Sequence, residues 1–186
     1  QKHLIAQTGT EQPVNESTTS IQPLFTQASS IFEPHHENEF VDFYYERNIP
    51  VKLSTQGPRA AVGDVNNDGL DDVYICGAMG QAGQLYLQTN NGFKKKEQPL
   101  FEEMKLYEDV TALMIDVDGD KDLDLIVGSG GHTQPSQKAE IRNRLYRNDG
   151  KGNFTYDTDA LPPNADNTGV IVANDIDGDG DLDLFV

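Results

Sequence analysis

Three nine-residue stretches restrict what this chain can fold into more than anything else in it. Asp175-Ile-Asp177-Gly-Asp179-Gly-Asp181-Leu-Asp183 puts a carboxylate at every second position. Asp116-Val-Asp118-Gly-Asp120-Lys-Asp122-Leu-Asp124 does the same, and Asp64-Val-Asn66-Asn-Asp68-Gly-Leu70-Asp71-Asp72 is a close variant. Like charges at this spacing repel, so a plain solvated surface has no use for the pattern. A hard divalent cation has. Calcium takes about six to eight oxygens, and a short loop supplies most of them from positions 1, 3, 5, 7 (through a backbone carbonyl) and 9.

The loops head a repeat. Their first aspartates are 52 and 59 residues apart, and periodicity on that scale points to a repeat architecture. A short apolar run precedes each loop: Ala60–Val62, Ala112–Ile115 and Val170–Ala173. A second run follows: Val73–Ile75, Leu123–Val127 and Leu182–Val186. In the first two units small residues come next, then a run holding a Leu-Tyr pair (Leu85-Tyr86, Leu145-Tyr146), then Asn-Gly or Asp-Gly. Those dipeptides supply the positive φ of tight hairpins. A fourth run, Phe93–Lys96 or Phe154–Tyr156, closes the unit. The early runs are apolar at consecutive positions, as expected of strands covered on both faces. Four-stranded antiparallel units stacked about an axis make a β-propeller. The expected fold is therefore all-β, with repeats near 57–97, 110–157 and 168–186. The third repeat stops after its second strand. About two and a half blades read as part of a larger propeller, with an open blade edge through which copies could associate. One helical turn is a candidate between Gln98 and Val110.

Charge agrees with metal chemistry. The net charge is −17, and 14 of the 31 acidic residues lie in the three loops. Three calcium ions would bring −17 to −11. The basic stripe that phosphate recognition requires is missing, which argues against a nucleic-acid partner. The single cysteine, Cys76, sits in an apolar run and reads as a small buried hydrophobe. No apolar run reaches the roughly 18 residues of a membrane-spanning helix. Calcium dependence favours an exported protein, extracellular or at the cell surface, because extracellular calcium saturates weak loops.

Residues 1–30 are rich in Gln, Ser, Thr and Asn and read as a flexible polar leader or linker, suited to tethering a domain to a membrane anchor. Residues 31–186 form the propeller region. Between 31 and 56, Phe40, Val41, Phe43, Tyr44 and Tyr45 predict one strand. His35 and His36 beside Glu37 and Glu39 read as polar residues of the segment entering the domain.

Position counting separates the calcium-loop types. An EF-hand needs a bidentate Glu at position 12, where Ile75, Val127 and Val186 stand here. Calcium β-rolls repeat their nonapeptides without interruption, and these loops do not. An acidic nine-position loop between two short strands, recurring at this period, resembles the FG-GAP repeats of integrin α-subunit propellers and their bacterial VCBS-type relatives. The stretch from Phe40 through Gly57-Pro-Arg-Ala-Ala-Val-Gly-Asp64 resembles the propeller start of the ASPIC/UnbV and cartilage acidic protein group. The resemblance implies three calcium sites. The first would use Asp64, Asn66, Asp68, the Leu70 carbonyl and Asp72. The second would use Asp116, Asp118, Asp120, the Asp122 carbonyl and Asp124. The third would use Asp175, Asp177, Asp179, the Asp181 carbonyl and Asp183. Position 6 is glycine in two loops but Lys121 in the second, so Lys121 must strain the loop or adopt an unusual φ, and its charge opposes a metal.

Other chemistry is weaker. Ser129 and His132 lack the strand-turn-helix of a nucleophile elbow and read as a blade loop. Lys94–Lys96 reads as a protected outer edge. Arg142, Arg144 and Arg147 could pair with loop acids. The resemblance implies a non-enzymatic surface or secreted module that binds protein or carbohydrate. Two alternatives stay open: a propeller enzyme whose catalytic residues lie outside this stretch, and a structural spacer.

Overall fold

The computed structural model describes residues 30–45, 47–131, 141–163 and 167–186. Apart from Ser30, these belong to the compact unit Ile31–Val186. The leader reading lies outside the described residues, apart from Ser30.

Two four-stranded antiparallel sheets and one strand pair make up the fold. Sheet one is a meander of β1 (Ala60–Gly63), β2 (Asp72–Ile75), β3 (Gln84–Thr89) and β4 (Gly92–Lys96). Sheet two is a meander of β5 (Glu108–Ile115), β6 (Asp124–Gly130), β7 (Arg144–Asn148) and β8 (Phe154–Asp157). The third unit pairs β9 (Val172–Asn174) with β10 (Asp183–Phe185). In every unit the first hairpin is the one that carries the acidic loop.

The sheets stack through their apolar faces. Ala61, Val65, Tyr74, Cys76 and Leu85 from the first unit pack with Leu125, Val127, Tyr146 and Phe154 from the second. Phe101 joins them, edge-on to Tyr74 and Tyr146 at ring distances of 5.3 and 5.4 Å. Ile126 faces the other way, into a second core with Leu145 and Ile171 that Leu113, Val117, Leu161 and Leu184 flank. Every residue of β6 is buried, whereas β1 alternates exposed and buried. That contrast is the physical content of the continuous apolar runs: β6 lies between two units, and β1 is covered on one face. Each fully buried Leu, Ile or Val of β6 contributes on the order of 1.5–3 kcal/mol.

One expected element is overturned. The segment from Ile31 to Gln56 holds no strand among its described residues; its regular piece is a 3-10 turn, Asp42–Tyr44. Aromatic strand propensity acts only where a neighbouring strand supplies a surface to pack on. Here the polar interior decides instead. Asp42 is fully buried and accepts the Ser54 hydroxyl at 2.6 Å and the Ser54 N–H at 3.2 Å. Phe40 stacks on Tyr45 at 5.3 Å. The expected helical turn is present as α1 (Pro99–Glu103), with Pro at its first turn, where a missing N–H costs nothing. Lys95 on the edge strand β4 is paired with Glu33 at 2.9 Å.

Candidate metal centres

The three acidic loops share one hydrogen-bond frame. The N–H of position 6 donates to the Oδ2 of position 1: Gly69 to Asp64 at 2.7 Å, Lys121 to Asp116 at 3.0 Å, Gly180 to Asp175 at 3.1 Å. The N–H of position 5 donates to position 3, from Asp68 to Asn66, Asp120 to Asp118 and Asp179 to Asp177. The N–H of position 7 donates to position 5, from Leu70 to Asp68, Asp122 to Asp120 and Asp181 to Asp179. Finally, the N–H of position 2 donates to position 9, from Val65 to Asp72, Val117 to Asp124 and Ile176 to Asp183. The side chains at positions 1, 3, 5 and 9 thus fold back on the loop that carries them.

Two positive φ angles per loop make this frame. Position 4 is Asn67 at 58°, Gly119 at 81° and Gly178 at 78°. Position 6 is Gly69 at 84°, Lys121 at 77° and Gly180 at 97°. Lys121 therefore takes the glycine-like conformation, its side chain exposed, and the loop keeps its shape.

The carboxylates converge most closely in two loops. Oxygens of Asp116, Asp118 and Asp120 lie within 4.8 Å of one another, and so do those of Asp175, Asp177 and Asp183. Loop 2 brings its first three acids together despite the lysine at position 6. Loop 1 carries the neutral Asn66 at position 3 and, among the described residues, forms no such trio of acids. The donor set is all oxygen, from carboxylates and one amide, which is the chemistry a hard divalent cation selects. These acidic clusters could hold a metal ion.

Position 9 differs from the rest. Asp72 and Asp124 are buried, each accepting a second N–H from the third strand, from Gln88 and Asn148, both at 2.8 Å. Burial pushes both carboxyls above their ordinary range against the pull of those two N–H groups. Asp183 is exposed and accepts the loop N–H of Ile176 at 3.0 Å.

One contact between these loops was not foreseen. Asn67 of loop 1 donates to Asp122 of loop 2 at 2.8 Å, tying the loops of neighbouring units. Arg147 reaches the loop acid Asp118 at 2.9 Å, as expected of an arginine beside loop acids, and also Asp157 of β8 at 3.2 Å. A cleft of about 710 Å³ lies between loops 2 and 3, lined by Asp118, Arg147, Leu161, Asp181 and Leu184 among others. Leu87 stands at the place of Arg147 in the first unit.

The remaining candidates are occupied elsewhere. Arg144 is buried and bonded to Asp109 and not to a loop acid. Ser129 is buried, its Oγ donating to the Arg142 carbonyl and accepting from Arg144. His132 lies outside the described residues. His35 bonds Glu37 at 2.8 Å, and the His36 N–H donates to Gln81, so both belong to the segment packed on the first unit. Cys76 is buried with its thiol pushed well up by desolvation, an unreactive core residue.

Four-stranded meanders packed face to face, each headed by an acidic hairpin loop, define a propeller-type β-repeat protein. The FG-GAP-like repeat family matches residues 64–127 and 116–186. These spans cover about two thirds of the chain, which belongs to that family. No curated protein and no solved structure matches it. No helix among the described residues is long and apolar enough to cross a membrane.

Proposed function

We propose that this chain is a calcium-stabilised, non-enzymatic binding module that works outside the cell and engages protein or carbohydrate through its blade loops. The supporting observation is the shared frame of the three loops: the same four backbone N–H groups orient the same four side chains each time. Asp64, Asn66, Asp68 and Asp72 would hold one ion, Asp116, Asp118, Asp120 and Asp124 a second, and Asp175, Asp177, Asp179 and Asp183 a third. The carbonyls of Leu70, Asp122 and Asp181 would complete the sets. Bound calcium would offset the repulsion among acids that the loop holds close together.

The role is structural. A loop that supplies five or six oxygens to one ion leaves little room for substrate and an activated water. Binding only the folded state adds about 2.7 kcal/mol per site at a hundredfold excess of calcium over Kd. Thermal melting in calcium and in EGTA tests this, with a rise of several degrees expected in calcium. An unchanged midpoint rejects the calcium reading. Glycan and protein arrays probed with the calcium-loaded protein test the binding role, and silence on both rejects it.

A further inference from the structure

We propose that Arg147 is a resident cation of loop 2, which holds that loop's carboxylates together without metal and lowers its affinity for calcium. The inference rests on the calcium reading above and concerns the residue that sets its strength at one loop of three. Arg147 Nη1 donates to Asp118 Oδ2 at 2.9 Å and lies 3.7 Å from Asp124 Oδ2. Its Nε donates to Asp157 Oδ2 at 3.2 Å, which fixes the plane of the guanidinium. Asp118 Oδ1 meanwhile accepts the Asp120 N–H at 3.2 Å. Both oxygens of position 3 are therefore engaged, one of them by a guanidinium.

The arrangement distinguishes the second unit from the first. Tyr86 faces Val73 across β2 and β3, and Tyr146 faces Leu125 across β6 and β7, so Leu87 and Arg147 occupy one structural position. Leu85 faces Lys96 and Leu145 faces Asp157, so Lys96 and Asp157 share another. Between the two units the arginine and the acid that orients it change together. Position 3 changes with them, from the neutral Asn66 to Asp118. Loop 2 carries a carboxylate and a counter-cation where loop 1 has neither.

The electrostatic consequence follows. Four acids at positions 1, 3, 5 and 9 would make loop 2 more attractive to a divalent cation than loop 1, which has three. A guanidinium at hydrogen-bond distance from Asp118 opposes that gain, because the entering ion meets a like charge across a few ångströms. Without metal the same guanidinium offsets the repulsion among Asp116, Asp118 and Asp120. In loop 3 the acids at positions 1, 3 and 9 converge equally, and no ion pair to them is found among the described residues.

Calorimetric titration of the whole chain with calcium chloride, for the wild type, R147L and R147Q, tests the proposal. R147L installs the residue the first unit carries, and R147Q keeps a polar side chain should leucine impair folding. Each is expected to tighten one site by about threefold to fivefold, the scale of a half-exposed charge pair. The gain should vanish in R147L/D116N, which assigns it to loop 2. The rise in Tm from EGTA to calcium should also be larger in R147L than in the wild type. Calcium binding with site affinities unchanged within about twofold in both variants overturns the role of Arg147 and leaves the calcium reading standing. No binding heat and no Tm response in any of the proteins overturns both.

Discussion

Asn148 Nδ2 donates to the Val65 carbonyl at 2.8 Å, across the seam between the two four-stranded sheets. The same amide donates to the Leu123 carbonyl at 3.0 Å and accepts the Gly152 N–H at 3.0 Å, while the Asn148 backbone N–H holds Asp124. One buried side chain thus joins loop 1, loop 2 and the β7–β8 hairpin. Its register equivalent in the first unit is Gln88, which holds Asp72 through its backbone N–H.

Asn148→Ala removes three side-chain hydrogen bonds and leaves the Val65 carbonyl unpaired at a buried seam. The cost is about 2–4 kcal/mol, since an orphaned buried group forfeits its full desolvation free energy. Urea unfolding measures it. Asn148→Asp keeps the acceptor for Gly152 and loses the donor, so it should fall between wild type and alanine only if the donor contacts dominate less than the acceptor. A loss below about 0.5 kcal/mol in Asn148→Ala would show that the seam does not depend on this residue.

Lys121→Gly tests the backbone of loop 2. Lys121 sits at φ 77°, a conformation glycine enters freely and other residues enter at a cost of roughly 1–2 kcal/mol. In saturating calcium, where the lysine charge gives no benefit, the variant should be about 0.5–1 kcal/mol more stable by urea midpoint. Equal or lower stability there would mean the loop holds Lys121 without strain.

What the sequence made legible was whatever depends on local spacing. The nine-position acidic pattern fixes which side chains point inward, and Asn-Gly and Asp-Gly fix two hairpins. Long-range pairings were opaque. Asn67 meets Asp122 only because the two units stack, and Arg144 turns to Asp109, 35 residues away, and not to the nearby loop acids. The aromatic run around Phe40–Tyr45 misled for the same reason. Its strand propensity had no partner strand to act through, and the buried Asp42–Ser54 contact set the local backbone instead.

Glu108 carries a pH dependence. It is 4% exposed, and burial raises its carboxyl from 4.5 to about 7, with Glu37 and Asp109 adding to the rise and the Met79 N–H opposing it. The folded chain therefore keeps a proton that the unfolded chain releases near pH 4.5. This contribution to stability is fully present below pH 4.5 and is lost as pH rises through about 7. By pH 8 the loss is on the order of 2–4 kcal/mol. Glu108→Gln keeps an acceptor for Met79 and cannot ionise. Between pH 5 and pH 8 in one calcium concentration, wild-type Tm should fall relative to the variant, and parallel curves would reject the assignment.

The Asp109–Arg144 pair makes the sharpest test of how the second sheet is held. Arg144 is 1% exposed, stacked 4.4 Å over the Tyr107 ring, and donates to Ser129 at 3.0 Å and Tyr146 at 3.1 Å besides Asp109. Asp109 also accepts the Tyr74 hydroxyl at 3.0 Å, which links the pair to the first sheet. Asp109→Ala strands a buried guanidinium and should cost about 3–5 kcal/mol. Arg144→Met strands the buried carboxylate with the Tyr74 hydroxyl and should cost a similar amount. The double variant Asp109→Ala/Arg144→Met removes both charges and should be more stable than Asp109→Ala alone, because most of that single loss is the uncompensated charge. Urea unfolding of all four proteins closes the cycle, and a double variant whose loss equals the sum of the singles would show that the two residues stabilise the sheet independently.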